Sequence, residues 1–556
     1  MKKAISIGYI MVLLIATLVV AGNFVHIVSA STEISGIIAS DTTWTEANSP
    51  YEIVGPTAVN ETATLTIEPG VTVNFNDFYL QVNGTLIAIG TSAEKVTFNA
   101  GQIIIKPVAN GWDDQSGSGC IFENAVINRT SILSDVAVKI TKVYANASIT
   151  VGDSSIISHN LLVDKTIVGD SATITDNTII YETRSLAIET GNLANITNNN
   201  IRGLLSSGSA TIVNNTITGT VTIRNTISAG SVISNNTIRG GGSHWYYGLL
   251  PMPRYATYPI TAIDVAGGLA EISNNTIISL DISDEFNLGL PESNLDGGYG
   301  ITTQANCDAY IHGNVISNGF VRGINAVGPA TIQENLMINN IGGIAIGKVV
   351  YDYGILVSTG DVDIRDNILA SSQVGVGGTV TNVYFGSVDY GFTPQARIVT
   401  IENNVIFGGE KGIDITLDSA TQKIQNNTIS NNSVAITLTS CPSATINFNN
   451  IQNYNQSSIY LTNTAVDINA TYNWWGTTDT QTINQTIRDF KNDFNLGTVT
   501  FTPFLNETNP NAPEIPPEDI IPDLPTNLLT ILIIVSLTAT TLIIRKKLLK
   551  DRNNFT

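Results

Sequence analysis

The chain is poor in the residues that build metal centres and disulfide frameworks. Its 556 residues include only three cysteines and four histidines, and no two cysteines lie within a Cys-x-x-Cys motif. These absences exclude a disulfide-rich scaffold and a zinc site made of Cys and His ligands. Cys120, Cys307 and Cys441 are more than a hundred residues apart. They fit buried single thiols, and one disulfide bond is the alternative.

Long apolar runs are also scarce, and both lie at the ends of the chain. Residues 1–30 comprise Lys2 and Lys3, an apolar stretch from 4 to about 21, and a Val-Ser-Ala sequence at 28–30. This order of a basic, an apolar and a small-residue region is typical of a signal peptide cleaved after Ala30. An uncleaved signal anchor is the alternative, since the apolar stretch is long enough to span a bilayer.

The second apolar run, 528–544, predicts one C-terminal transmembrane helix. At about 1.5 Å per residue it is just long enough to cross a hydrocarbon core of about 30 Å. The basic tail, 545–556, should stay in the cytoplasm, so the N-terminal bulk should face outside at the cell surface. Residues 480–527 form a C-terminal segment that ends in a proline-rich stretch with Asp and Glu, which predicts an extended stalk.

Basic residues are too few to balance the acidic ones. Without seven basic residues and one acid of the two terminal segments, the predicted exterior has a net charge of −26. A surface of this charge repels nucleic acid and other polyanions, which excludes nucleic-acid binding as a function.

A six-residue phrase, Ile-x-x-Asn followed after one residue by Ile, Val, Leu or Met, recurs along the middle of the chain. Its closest repeats are about 21 to 23 residues apart. Its asparagines, in their full or varied form, are Asn124, Asn160, Asn177, Asn199, Asn215, Asn236, Asn275, Asn314, Asn335, Asn367, Asn404, Asn427 and Asn449. Asn suits tight corners because it tolerates left-handed backbone angles and because its amide can bond along a ladder of asparagines.

A short strand that often begins with Gly-Ile comes before each Asn phrase, and there is no helical period between the terminal segments. One such unit cannot bury its own apolar face, so successive units must stack, strand on equivalent strand. The sequence therefore predicts an all-β, right-handed parallel β-helix, or solenoid, over residues 100–479. Residues 31–99 are expected to form an N-terminal β region with the first coils and a cap.

The repeats, the lead-in strands at 64–91 and an Asn-Trp-Trp-Gly sequence at 473–476 resemble the right-handed parallel β-helix surface proteins of archaea and bacteria. That group belongs to the wider pectate-lyase-like superfamily and includes the NosD-type carbohydrate-binding and sugar-hydrolase repeat. The resemblance covers residues 64–476 and is specific to the architecture rather than to a function. The NosD-type likeness suggests a copper role, but the sequence contains no cluster of His and Met that could bind copper.

Four long insertions leave the repeat at the same corner, so they should stack on one side of the solenoid. They are rich in aromatic rings and carboxylates, which could stack on sugar rings and bind hydroxyl groups or Ca²⁺, the only cofactor that the sequence suggests. The alternative is that the insertions only pack on one another. The candidate ligand-binding residues are Trp245, Tyr246, Tyr247, Asp281, Asp284, Glu285, Tyr351, Asp352, Tyr353, Tyr384, Asp389 and Tyr390.

A polysaccharide lyase or glycoside hydrolase is the main alternative function. The resemblance implies clustered Asp with Gly-His-Gly and Arg-Ile-Lys phrases, or Ca²⁺-binding Asp with a basic residue, and this chain lacks those phrases. The nearest substitute is the set Asp361, Asp363, Arg365 and Asp366, which a solvated salt-bridge row explains better. No catalytic residue is therefore assigned, and the sequence favours a protein without enzymatic activity.

Asn-x-Ser/Thr sequences are frequent, and in an exported protein they are candidate glycosylation sites. Those outside the regular coils, Asn60, Asn484 and Asn506, are the preferred acceptors. Taken together, the sequence predicts a membrane-anchored surface glycoprotein that supports the cell envelope or adheres to extracellular glycans or envelope components.

Overall fold

The computed structural model describes residues 31–181, 185–224, 230–240, 242–245, 257–279, 299–304, 306–317, 322–326, 328–338, 344–346, 362–370, 381–386, 397–416 and 420–516. The predicted signal peptide, transmembrane helix and basic tail lie outside these residues. Among the described residues, no helix is both long and apolar enough to span a bilayer.

The chain divides into two compact units. Unit 1 comprises residues 1–332, 344–361 and 387–393, and unit 2 comprises residues 333–343, 362–386 and 394–556. In both units the described strands pair almost entirely in parallel. This confirms the prediction of an all-β fold of stacked parallel strands, and it is consistent with a parallel β-helix.

Unit 1 holds short strands and one 3-10 helix, Glu46–Asn48. Its described strands are Thr32–Ile38, Thr42–Trp44, Tyr51–Val59, Thr64–Ile67, Thr72–Asn74, Tyr79–Val82, Thr85–Ile89, Val96–Ile105, Ile121–Glu123, Ala125–Ser134, Lys139–Thr141, Tyr144–Ala145, Ile149–Val151, Ile156–Ser158, Leu161–Leu162, Thr166–Val168, Thr173–Thr175, Thr178–Ile180, Leu186–Thr190, Ala194–Thr197, Asn200–Arg202, Leu204–Ser207, Ala210–Val213, Thr216–Thr218, Val221–Ile223, Ser231–Ser234, Thr237–Gly240, Gly242–Trp245, Thr257–Val265, Gly268–Ser273, Thr276–Ser279, Tyr299–Thr303, Cys307–His312, Val315–Ser317, Arg322–Ala326, Ala330–Gln333 and Ile344–Ile346.

Unit 2 holds further strands and one short α-helix, Thr480–Thr486, which Asp479 caps through the backbone N–H groups of Gln481 and Thr482. Its described strands are Leu336–Ile338, Val362–Arg365, Ile368–Ala370, Thr381–Gly386, Arg397–Glu402, Val405–Phe407, Lys411–Thr416, Ala420–Gln425, Thr428–Ser430, Val434–Thr439, Ser443–Asn447, Asn450–Gln452, Ser457–Thr462, Ile468–Asn469, Ile487–Arg488 and Val499–Thr500.

A regular coil contains three strands. In one coil of unit 1 the first strand is Ala210–Val213, the second is Thr216–Thr218 and the third is Val221–Ile223. The alternation of β-branched residues with polar ones suits a pleated strand that is buried on one face only. The pairing places Ile212 beside Ile233 and Ile272 beside Ile311, so that like side chains stack in the core. All four are fully buried.

The corner between the first and second strands is formed by two residues with separate roles. The first has a left-handed backbone, as at Asn214 and Asn235, with φ of 58° and 57°. The second is a buried asparagine of the repeat, as at Asn215 and Asn236. The expectation that a single asparagine takes the left-handed backbone and the ladder position is therefore wrong for these coils.

Each buried asparagine bonds to the equivalent asparagine of the next coil. The Nδ2 of Asn236 donates to Asn275 Oδ1 at 3.0 Å and to the Ile212 carbonyl at 2.8 Å, while its Oδ1 accepts from the Asn215 backbone N–H at 2.8 Å. The asparagine ladder of unit 1 runs through Asn160, Asn177, Asn199, Asn215, Asn236, Asn275 and Asn314.

Asn124 has a different role, since it takes the left-handed backbone itself, with φ of 47°, and its side chain donates to the Gly90 carbonyl. Unit 2 has its own asparagine ladder, which runs through Asn335, Asn367, Asn404, Asn427, Asn449 and Asn473. The last member belongs to the Asn-Trp-Trp-Gly sequence, and the neighbouring Trp475 is buried.

Candidate functional site

The insertions that carry the predicted ligand-binding residues are described only in part. The strand Gly242–Trp245 pairs antiparallel with the start of Thr257–Val265, with Trp245 opposite Thr257, so the described part of the first insertion is an antiparallel strand pair. The strand Thr381–Gly386 places the backbone of Tyr384 beside Asp414. The other predicted residues, Tyr246, Tyr247, Asp281, Asp284, Glu285, Tyr351, Asp352, Tyr353, Asp389 and Tyr390, lie outside the described residues.

Within the acidic set considered for catalysis, Arg365 pairs with Asp363 and also approaches Glu402, which lies outside the set. The Arg365 Nε lies 2.6 Å from Asp363 Oδ1, and its Nη1 lies 3.8 Å from Glu402 Oε2. The hydrogen bond to Asp363 raises the pKa of Arg365, and burial raises the pKa of Asp366. Because the arginine is engaged by two carboxylates, it is poorly suited to abstract a proton. Asp361 lies outside the described residues.

A concave site among the described residues lies on the outer face of unit 1, where the first strands of successive coils pair with one another. We call it the Tyr310 groove; its volume is about 550 Å³, which is within the usual range for ligand pockets. It is lined by Gly230, Ser231, Val232, Leu269, Ala270, Glu271, Asp308, Ala309, Tyr310 and Thr331.

Two neighbouring strands supply most of the groove, and their alternation explains its surface. Buried and exposed residues alternate over 269–272 and over 307–311, which directs the exposed ones outward. The pairing places Leu269 beside Asp308 and Glu271 beside Tyr310. Leu269 is 56% exposed and Tyr310 is 38% exposed. The groove therefore presents an apolar side chain and an aromatic ring between two carboxylates.

The aromatic ring is held in place by contacts with its neighbours. Tyr310 stacks on His312 with ring centroids 4.2 Å apart and an interplanar angle of 27°. The Nε2 of His312 lies 3.3 Å from Glu271 Oε1, and the Ser273 hydroxyl donates to the same oxygen at 3.3 Å. These contacts restrict the rotamers of Tyr310 and Glu271 before any ligand arrives, which lowers the entropic cost of binding.

The groove offers side chains that can bind a ligand. Tyr310 and Leu269 offer apolar contact area, and Glu271 and Asp308 can accept hydrogen bonds. The residues that line it include no lysine or arginine. Over the part of the chain that the structure describes, no group of three His, Cys, Asp or Glu side chains could hold a metal ion.

The prediction from the sequence did not include this groove, because it placed the ligand-binding residues only in the insertions. A signal was present within the regular strands. The outward positions equivalent to Tyr310 in earlier coils are Thr173, Asn195, Thr211, Val232 and Glu271. Val232 and Tyr310 depart from the polar residues at this position, and both line the groove.

The groove strands also bury a thiol. Cys307 begins the strand that carries Tyr310, and it is fully buried. Burial, with smaller contributions from Asp308 and Asp264, raises its pKa to about 12. The thiol is therefore protonated at physiological pH and does not belong to the chemistry of the groove.

The preferred glycosylation acceptors, Asn60, Asn484 and Asn506, are all exposed. Among the acceptor sequences within the coils, the one at Asn426 is engaged by the C-terminal segment. Asn509 Nδ2 donates to Asn426 Oδ1 at 3.1 Å, and the Thr428 hydroxyl donates to the Pro513 carbonyl at 2.5 Å. A glycan at Asn426 would displace the contacts of the C-terminal segment, whereas a glycan on an exposed acceptor outside the coils would not.

No protein-family model, no curated protein and no solved structure matches this chain.

Proposed function

We propose that this chain is a membrane-anchored extracellular protein whose right-handed parallel β-helix, of the pectate-lyase-like and NosD type, binds carbohydrate at the cell surface. In this proposal the first 30 residues direct export, residues 528–544 anchor the chain, and Asn60, Asn484 and Asn506 carry glycans. Its role is adhesion to extracellular glycans or envelope components.

The single observation that carries the binding proposal is the Tyr310 groove. Tyr310 offers an exposed aromatic ring that stacks on a neighbouring ring, and an apolar side chain and two carboxylates lie beside it. This combination suits the binding of sugars. Sugar rings offer an apolar face of C–H groups to the aromatic ring and a rim of hydroxyls to hydrogen-bond acceptors. The carboxylates of Glu271 and Asp308 serve as those acceptors.

We also propose that the insertion surface binds sugars, with Ca²⁺ bridging its carboxylates and sugar hydroxyls. It comprises the residues from Trp245 to Tyr390 that the sequence indicated as ligand-binding. The test must therefore be run with and without Ca²⁺, so that a groove that binds sugar by itself can be told apart from a Ca²⁺-dependent surface.

The test is binding of the full-length chain in detergent to a broad glycan array, with each glycan also assayed for cleavage. We expect binding without cleavage, and we expect Tyr310→Ala to weaken it on the order of tenfold, because the stacking surface is lost. Tyr79→Ala is the matched control, since Tyr79 is also 38% exposed on a strand of unit 1 but does not line the groove.

Equal losses in the two variants would remove the groove as the binding site. Release of unsaturated or reducing ends would support a lyase or hydrolase instead. Silence of the whole array, in the presence and absence of Ca²⁺, would contradict carbohydrate binding and leave an envelope structural role.

A further inference from the structure

The charge of the Tyr310 groove restricts which sugars it can hold. Two of its ten lining residues, Glu271 and Asp308, are acidic and exposed, and none is lysine or arginine. The predicted exterior as a whole carries a large negative charge. Uronic acids and sulfated sugars would bring a further negative charge beside these carboxylates without a cation to compensate, and like charges at short range repel.

The positions of the carboxylates suit a cation. Glu271 is paired directly with Tyr310 across the two strands, and Asp308 is two residues before Tyr310 on the same face. Neighbouring parallel strands are about 4.8 Å apart, so an ammonium group beside the ring can reach Glu271, while Asp308 lies diagonally across the strand pair, roughly 8 Å from Glu271 between Cα atoms, and adds longer-range attraction. A tyrosine ring adds cation–π attraction to that ion pairing.

His312 contacts both the aromatic ring and the nearer carboxylate. Its Nε2 lies against Glu271 Oε1, and its ring stacks on Tyr310. Among the described residues, the hydrogen bonds of Glu271 engage its Oε1 and leave Oε2 available, and Asp308 is exposed. Both acids therefore keep acceptor capacity for a ligand.

We infer that the Tyr310 groove selects glycans that carry free, protonated amino groups, such as glucosamine polymers, over neutral and acidic ones. This inference rests on the proposed carbohydrate binding and adds the class of sugar. An amino group pairs with Glu271 beside the ring, Asp308 adds to the negative potential of the groove, and the sugar ring stacks against Tyr310 and Leu269.

The experiment compares three β-1,4-linked or α-1,4-linked tetrasaccharides on the full-length protein by calorimetry at pH 6: glucosamine, N-acetylglucosamine and galacturonate. Acetylation removes the charge of the amino group while the ring and its linkage stay the same. We expect the glucosamine tetramer to bind at least about tenfold more tightly than the acetylated one, and its affinity to fall with added salt. The galacturonate tetramer should not bind.

The variant Glu271→Gln/Asp308→Asn should lose the preference for glucosamine and keep its affinity for N-acetylglucosamine. A general attraction of an acidic protein for cations is controlled by Glu61→Gln/Glu94→Gln, which removes the same charge from two exposed positions outside the groove. This control should keep the preference.

The outcomes separate the two ideas. If N-acetylglucosamine or galacturonate binds through Tyr310 as tightly as glucosamine, the inferred selectivity is wrong and carbohydrate binding stands. If the control pair loses the preference as fully as the groove pair, the attraction is nonspecific and the inference fails. If none of the three tetramers binds, and the array is silent as well, carbohydrate binding itself fails.

Discussion

At the scale of single residues, the repeated asparagines serve as buried connectors between coils. The ladder asparagines satisfy a backbone carbonyl and a backbone N–H of the preceding coil, as Asn236 does for Ile212 and Asn215. The residue before it, such as Asn235, faces solvent and supplies the left-handed backbone. The residues that directly precede other ladder asparagines include histidine, aspartate, glycine and aromatic residues. This position therefore accepts several types of side chain.

The difference between these two neighbours can be tested with one pair of variants. Asn236→Ala should destabilise unit 1 by about 3 kcal/mol, because it leaves a buried N–H and a buried carbonyl without partners. Asn235→Gly should be nearly neutral, since glycine adopts a positive φ without strain. Urea unfolding followed by circular dichroism measures both. Similar losses in the two variants would contradict the separation of roles.

At the scale of elements, the C-terminal segment after the last coil of unit 2 packs along the coils before it. After Val499–Thr500, the chain returns so that Asn509 bonds with Asn450 and with the Phe448 carbonyl. Asn509 and Ala512 are buried. The predicted proline-rich stalk therefore has a packed beginning, and its remainder from residue 517 onward lies outside the described residues.

We predict that this segment depends on the side chain of Asn509. Asn509→Ala removes its hydrogen bonds to Asn426 and Phe448 and should increase hydrogen exchange across residues 502–513 by on the order of tenfold. Asn511→Ala is the control, because Asn511 is exposed in the same segment. Unchanged exchange in Asn509→Ala would show that the backbone contacts with Asn450 are sufficient.

At the scale of the whole molecule, the three cysteines report on the integrity of both units. Cys120 and Cys307 lie in unit 1 and Cys441 lies in unit 2, and all three are free and buried. Burial raises the pKa of Cys120 and of Cys441 to about 11, above the ordinary value of 9.0. This agrees with the prediction of buried single thiols.

Alkylation should therefore distinguish the folded from the unfolded chain. At pH 8 iodoacetamide should leave all three thiols unmodified in native protein and modify all three in concentrated urea, as measured by peptide mass spectrometry. Between pH 9 and about 11 the stability should fall as the pH rises, because the unfolded thiols ionise first and the buried ones stay protonated. Rapid modification of any native thiol at pH 8 would contradict the burial described here.

Much of the fold could be predicted because the repeat encodes it locally. Isoleucines at fixed spacing around a recurring asparagine imply stacked parallel strands, whichever coils happen to be neighbours. The assignment of roles within the corner could not be predicted, since Asn214 and Asn215 are the same residue type in adjacent positions and only the backbone separates them. Asn124 also resembles the ladder members in sequence, but it takes the left-handed backbone itself.

The sequence by itself thus determined the all-β class, the coil length and the apolar positions of the core, because burial follows the two-residue alternation of each strand. Only the tertiary structure decided which outward residues meet. Leu269 and Glu271 are about forty residues from Asp308 and Tyr310, and the pairing of their strands brings them into one groove. Alignment of the phrases at Asn275 and Asn314 gives the register of these strands, whereas the contacts that shape the groove, such as the stacking of Tyr310 on His312, depend on side-chain rotamers that only the packed structure fixes.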